Sequence, residues 1–285
     1  MTAPVLYDVQ GPRGRRRVLI ASIVGALVLL AVLVLAARRL AANGQFDYDK
    51  YKPFFTEPQL YRRLQDGLEN TLHAALYAMV LAAVLGVLLA FGRLSRRRLI
   101  RLPVIAVIEF FRGVPLLLLI FALFLAFPIV VHKNLPSLWA LVLALTLYNG
   151  SVIAEIIRAG IQSIPKGQTE AAYAIGLSRG QTLRMVLLPQ AVRVMLPALI
   201  SQLVVLLKDT SLGFVIGFSE LLRTGGQLVQ VLRNPLQLYL AVALIYIVIN
   251  SCLSALAGYV EGRQRRTSGR APIAVTQVET GMGAP

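Results

Sequence analysis

The sequence predicts an all-α integral membrane protein with six transmembrane helices, and three observations carry that prediction. The chain of 285 residues is 57% hydrophobic and only 15% charged, with a mean hydropathy of +0.70. A soluble domain of this length is less apolar. The apolar residues fall into six runs, each near or above the ~20 residues with which an α-helix crosses a hydrocarbon core of roughly 30 Å. The 29 Lys and Arg gather at the ends of those runs, where they set orientation.

Residues 1–17 are a basic tail ending in Arg13, Arg15, Arg16 and Arg17, and residues 18–37 then run for twenty positions without a charge. A secretory signal competes with an anchor here, but its apolar core is only about 7–15 residues long. A retained N-terminal anchor helix is therefore expected. Residues 38–66 mix aromatics and charges in FDYDKYKPFF, with Pro53 and Pro58. They read as an extracytoplasmic segment lying partly along the membrane surface. The second span is expected over 68–91, followed by the densest basic cluster, RLSRRRLIR, from Arg93 to Arg101. The third runs from near Pro103 to Val131, holds Glu109 and Arg112, and is interrupted by Gly113, Pro115 and Pro128. It should be kinked or preceded by an interfacial turn. The fourth, fifth and sixth spans are expected over 138–157, 191–218 and 236–259, and the polar residues 260–285 as a disordered cytoplasmic tail.

With the N-terminus inside, the inner segments hold 19 Lys and Arg against 9 outside, with Lys208 left within a span. This two-to-one bias predicts cytoplasmic termini and places residues 168–189 in the cytoplasm. The net charge of +16 belongs to this pattern and not to nucleic-acid binding, because the cations flank apolar runs instead of interleaving with aromatics on one surface. Cys252 is the sole cysteine, so no intrachain disulfide can form. His73 and His132 lie far apart, and no His-centred or repeated-carboxylate constellation supports an intramembrane enzyme or a metal site.

The polar stretch between the fourth and fifth runs is EAAYAIGLSRGQTLRMVLLP, Glu170 to Pro189. Thr169 is an expected N-cap with Glu170 in the first turn. Gly176 suits the left-handed residue that ends the helix. Ser178 and Gln181 have capping-box spacing for a second helix reaching about Leu187, where Pro189 should force a break. Ala171, Ala172 and Ala174 would let another backbone come close. These residues and their spacing resemble the EAA loop of importer-type ABC transporter permeases. Further segments, GLENTL (67–72), EFFRGVPLL (109–117), YNGSVIAEIIRAGIQSIPKGQTEAA (148–172) and LKDTSLGFVIG (207–217), resemble the polar amino-acid uptake group, and the opening segments its glutamate subgroup.

That resemblance implies a permease core over 67–259 with five helices, an extra N-terminal helix, and a cytoplasmic coupling helix carried by the loop 168–189. It implies residence in a bacterial cell membrane and an amino-acid substrate, glutamate as the best match. The implied partners are a cytoplasmic ABC ATPase, a second permease subunit (a sister chain or a copy) and an extracytoplasmic solute-binding protein, with membrane lipid around them. Glu170, Ala171, Ala172 and Gly176 would couple to the ATPase. The chain has no GxxxxGK[ST] phosphate loop, so no bound cofactor is expected and ATP would be used by the partner.

Polar residues inside spans are costly and usually face a cavity or one another. Lys208, Asp209, Thr210 and Ser211 form such a patch, with Asn149 in the fourth span. They either line a solute path, Lys208 meeting a carboxylate and Asp209 an ammonium group, or hold a helix break and an interhelical contact in place. Glu155 with Arg158 and Glu109 with Arg112 have the spacing of helical ion pairs. A secondary transporter or channel for small polar solutes, working without an ATPase, is the alternative.

Overall fold

The computed structural model describes residues 11–267; residues 1–10 and 268–285, including most of the expected tail, lie outside them. Helix α1, Pro12–Ala42, opens with proline in its first turn, and its apolar surface is not buried by any of the described residues. Its leucines and valines, exposed on every side, are suited to lipid. Two single-turn helices follow, α2 (Tyr48–Tyr51) and α3 (Pro53–Thr56).

Helix α4, Pro58–Arg93, begins ten residues before the expected start of the second span. Pro58 serves as a first-turn residue, where its missing N–H costs nothing, and Leu60 and Leu64 bury against Leu221 and Leu228 beyond the apolar run. Along α4 the buried positions are small and four apart or nearly so: Gly67, Thr71, Ala74, Ala78, Ala82, Gly86 and Ala90. That stripe lets the backbone of α4 lie directly on α8, Ser137–Gln162. A Cβ on Gly86 would sit 2.5 Å from Ile153 Cγ2 and 3.0 Å from the Gly150 carbonyl. Close backbone approach between small residues is the usual source of helix association in lipid, where apolar side chains gain little from leaving one apolar medium for another.

The third span is broken. Helix α5, Arg98–Gly113, meets the run formed by α6 (Leu116–Phe121), a π turn (Ala122–Ala126) and α7 (Phe127–Val131) at 102°. Pro115 has extended backbone and ends helical continuity. The amphipathic α5 lies across the same end of the molecule as the close of α4, with Val104 against Gly92. The interfacial element expected before this span is thus a complete helix of 16 residues.

Helix α8 is the centre of the fold, with buried residues on most of its circumference and α4, α5, α6 and α11 around it. After α9 (Lys166–Ala174) and the short α10 (Arg179–Gln181), a π turn at Thr182–Leu187 runs directly into α11, Leu188–Asp209. Pro189 therefore does not break the chain, contrary to the expectation. A π turn shifts each acceptor to the next N–H along, so the carbonyl that a proline would leave bare finds another donor. The same arrangement recurs at Pro128, also two residues past a π turn. A 3₁₀ segment, Thr210–Ile216, closes on Gly217 in the left-handed region, φ 78°. The amphipathic α12 (Leu221–Leu232) and α13 (Pro235–Thr267) complete the described chain. Asn234 donates to the Lys50 carbonyl at 3.1 Å and Gln237 to that of Gln45 at 2.7 Å, tying the segment after α1 to the start of α13. Among the described residues five helices are long and apolar enough to cross a membrane, or six when the bent pair is counted as one broken span.

Candidate functional site

Most of the residues singled out from sequence lie in or next to two regions, the exposed turn around α9 and a cavity between α11 and α13; Asn149 lies apart from both. The α9 turn is built by local chemistry. Its helix starts at Lys166 after Pro165, so Thr169 lies inside the first turns and is not the N-cap. The fixed φ of Pro165 and its carbonyl, bonded by Gln168 N at 3.0 Å, begin the helix earlier. Its end is a Schellman motif: Leu177 N donates to Ala172 O at 3.1 Å and Gly176 N to Tyr173 O at 2.9 Å. Gly176 stands at φ 83°. The capping box then forms, Ser178 N donating to Gln181 Oε1 at 2.8 Å and Gln181 N to Ser178 Oγ at 3.4 Å.

The turn is pinned to the bundle at two points. Gln190 on α11 donates to Gln168 Oε1 at 3.3 Å, and Arg179 donates to Leu94 O, at the end of α4, at 3.2 Å. Ala172 faces inward, only 3% exposed. Glu170 and Ala171 face outward, with Tyr173 and Ile175 exposed beside them. The Glu170 carboxylate has no hydrogen-bond or ion-pair partner among the described residues. This face joins a free carboxylate to exposed apolar side chains on a short, braced helix, the composition of a docking surface.

Beneath it an ion network ties three helices together. Arg93 Nη1 donates to Glu109 Oε1 at 3.1 Å and lies 3.1 Å from Glu155 Oε2, outside hydrogen-bond angles. Arg158 donates to Glu155, its Nε at 2.8 Å, and Arg112 stands 3.7 Å from Glu109. Both expected i, i+3 pairs form. Arg93, distant in sequence, bridges them.

The cavity has a volume of about 810 Å³, within the range of about 300–1,000 Å³ usual for small-molecule sites. Lys208 and Ser211 line it from α11 and the 3₁₀ segment, and Tyr239, Tyr246, Asn250 and Ser251 from α13. Lys208 is exposed and, among the described residues, joins no ion pair; it does not pair with Asp209. Asp209 is half-buried beside it and does not line the cavity. Thr210, fully buried, donates to Leu207 O at 2.6 Å, and Ser211 to Lys208 O at 2.8 Å. Both hydroxyls therefore satisfy carbonyls at the end of α11. Asn149, also fully buried, accepts from Gln202 at 2.7 Å and donates to Leu145 O at 2.9 Å. It joins α8 to α11, away from the cavity.

Sequence reading passed over the α13 wall and Glu220. Tyr239, Tyr246, Asn250 and Ser254 recur at helical spacing in an otherwise apolar run, and that periodicity was the available signal. Glu220 caps α12, accepting from Leu222 N at 2.7 Å, Arg223 N at 2.6 Å and the Tyr246 hydroxyl at 2.8 Å, and is fully buried. Burial pushes its carboxyl above the usual range, against the opposing pull of those three donors. It holds one wall residue of the cavity in place.

Residues 82–266 match the family model described as the binding-protein-dependent transport system inner membrane component. The glutamate transport system permease protein GluD of Corynebacterium glutamicum is 48% identical over 235 residues, 81% of this chain and 85% of that protein. The probable glutamine ABC transporter permease protein GlnP of Bacillus subtilis is 36% identical over 208 residues, covering 70% and 93%. Among solved structures, an amino acid ABC transporter with histidines superposes with a TM-score of 0.70 at 32% identity, over 74% of this chain and 98% of that one. The MetNI methionine ABC transporter, TM-score 0.60 at 22% identity over 73% of this chain and 99% of its own, shares the fold.

Proposed function

The chain belongs to the family of binding-protein-dependent transport system inner membrane components, and from that membership we propose that it conducts glutamate as one of two permease subunits in an ATP-driven importer. It is an amino-acid ABC importer permease and not an enzyme. Family membership thereby decides against the ATPase-independent carrier that the sequence left open. Glutamate as solute is supported by the likeness to a glutamate permease and by the chemistry of the cavity.

The observation that carries the proposal is Lys208: a cation within a span, without an ion pair among the described residues, facing a mostly apolar cavity that holds a few polar groups. Lipid against that wall would strand an ammonium group and the side chains of Asn250, Ser251 and Ser254 in hydrocarbon, at a cost of about 2.5–3.5 kcal/mol for the charge alone. A second permease subunit covering the wall turns it into a path between the two chains. An acidic solute supplies the counter-charge as it passes.

Force reaches that path through α9. Glu170 and Ala171 seat on an ATPase subunit on the cytoplasmic side, the orientation supported by the charge bias. The Schellman turn at Gly176 and the tether from Arg179 to α4 transmit its displacement to α11. ATP, bound and hydrolysed by the ATPase pair, closes and parts the two α9 helices, and the permeases rock between outward and inward openings around the cavity. A solute-binding protein delivers glutamate on the far side. The test is uptake of labelled glutamate by vesicles carrying the purified complex. Accumulation should require ATP, the ATPase and the binding protein together. Accumulation by this chain without the ATPase refutes the proposal.

A further inference from the structure

We propose that the cavity enclosed by the ends of α4 and α8 and by the turn from α9 to the second π segment binds the headgroup of an anionic phospholipid. The cavity holds about 360 Å³. Phe91, Ile161 and Leu187 form an apolar floor, while Arg96 and Arg179 stand at its rim with the Tyr173 side chain. No acidic side chain of the described residues lines it. Arg96 has no ion pair among the described residues, and Arg179 gives one bond to the neutral carbonyl of Leu94. Arg97, Arg98 and Arg101 continue the positive surface onto α5, also without ion pairs.

Two arginine forks at one opening suit a phosphodiester, which takes charge-assisted, bidentate bonds from guanidinium. The floor selects the source of that phosphate. Phe91 is the last residue of the second expected span and Ile161 lies one helical turn past the fourth, 138–157, which puts the cavity at the same end of both spans, beside their apolar surface. A diacyl phosphodiester meets both halves, the charged rim and the apolar floor, whereas a free anion leaves the floor wet. Clusters of basic residues at this depth attract anionic lipid in general; the enclosed cavity adds a place for one molecule. Because Thr169 and Tyr173 of α9 form one wall, a bound lipid braces the helix on which the ATPase is proposed to seat. The inference stands apart from the solute reading at Lys208.

The test uses the assembled transporter, delipidated in neutral detergent, and acyl-labelled phosphatidylglycerol and phosphatidylcholine as probes. Wild type should bind phosphatidylglycerol in preference. R96Q/R179Q should weaken that binding by at least about tenfold, since each lost contact is a hydrogen bond to a charged group, and R96K/R179K, which keeps the charges but not the forks, should restore only part of it. R97Q/R98Q, equal in charge removed but outside the cavity, should weaken it less than about threefold, as screened surface charges do. Equal losses in the two Gln pairs would show a diffuse field and overturn the proposal. So would equal binding of the two lipids, displacement by millimolar inorganic phosphate, or an assembled wild type that binds no more than R96Q/R179Q because the ATPase fills the cavity.

Discussion

Replacing Lys208 by Met removes a cation while keeping an unbranched side chain of similar length. Among the described residues Lys208 has no ion-pair partner to orphan, so the substitution breaks no ion pair of the fold. Whatever is lost belongs to the passing solute. A hydrogen bond to a charged group contributes about 1.5–3 kcal/mol, which at about 1.4 kcal/mol per tenfold is a decrease of roughly 10- to 150-fold. The external binding protein governs capture, so the decrease should fall on the maximal rate of glutamate uptake at saturating binding protein. Uptake into ATP-loaded vesicles measures it directly. Lys208→Arg, keeping the charge, should lose much less. An unchanged rate in Lys208→Met, with the complex intact, would refute a role for this cation in conduction.

Gly176→Val forces a β-branched residue into φ 83°, a strain of about 1–3 kcal/mol; the chain should still reach the membrane, but solute should no longer stimulate ATP hydrolysis. Glu170→Lys should weaken co-purification of the ATPase without lowering the chain's own melting temperature, because the exposed Glu170 carboxylate has no hydrogen-bond or ion-pair partner among the described residues. Gly86→Leu places side-chain atoms in the space of Ile153 and the Gly150 carbonyl. Overpacking of this kind costs about 1–3 kcal/mol or more, read as a lowered melting temperature in detergent. Glu220 has a pKa raised in the folded protein, so protonation favours the fold. Its stabilising share is full at low pH and is lost as pH rises from the ordinary glutamate range through the raised value. Melting curves across that interval should therefore fall more steeply for wild type than for Glu220→Gln; parallel curves would contradict the burial argument.

Much of this architecture is legible one residue at a time. Charge-free runs of sufficient length announce spans because an unsatisfied backbone in hydrocarbon permits little besides a helix. The turn around α9 was readable for the same kind of local reason: a glycine free to adopt positive φ, and Ser178 and Gln181 three apart, determine the Schellman end and the capping box within ten residues of chain. The errors were equally local. Pro189 was read as a break, yet it follows a π turn, and Thr169 as an N-cap, yet the helix already begins at Lys166 after Pro165; neither context shows in residue type alone.

The inward turn of Ala172, the link from Asn149 to Gln202, the bridge by Arg93 and the cavity shared by α11 and α13 were decided elsewhere. Each depends on which face of one helix meets which face of another, across separations of many residues. Helical period and span length constrain a segment by itself, so sequence determined the number of spans and the left-handed turn at Gly176. Close packing along the small-residue stripe of α4 chose the pairing and register of the helices, and only that choice sets which polar groups satisfy each other and leaves Lys208 facing open space.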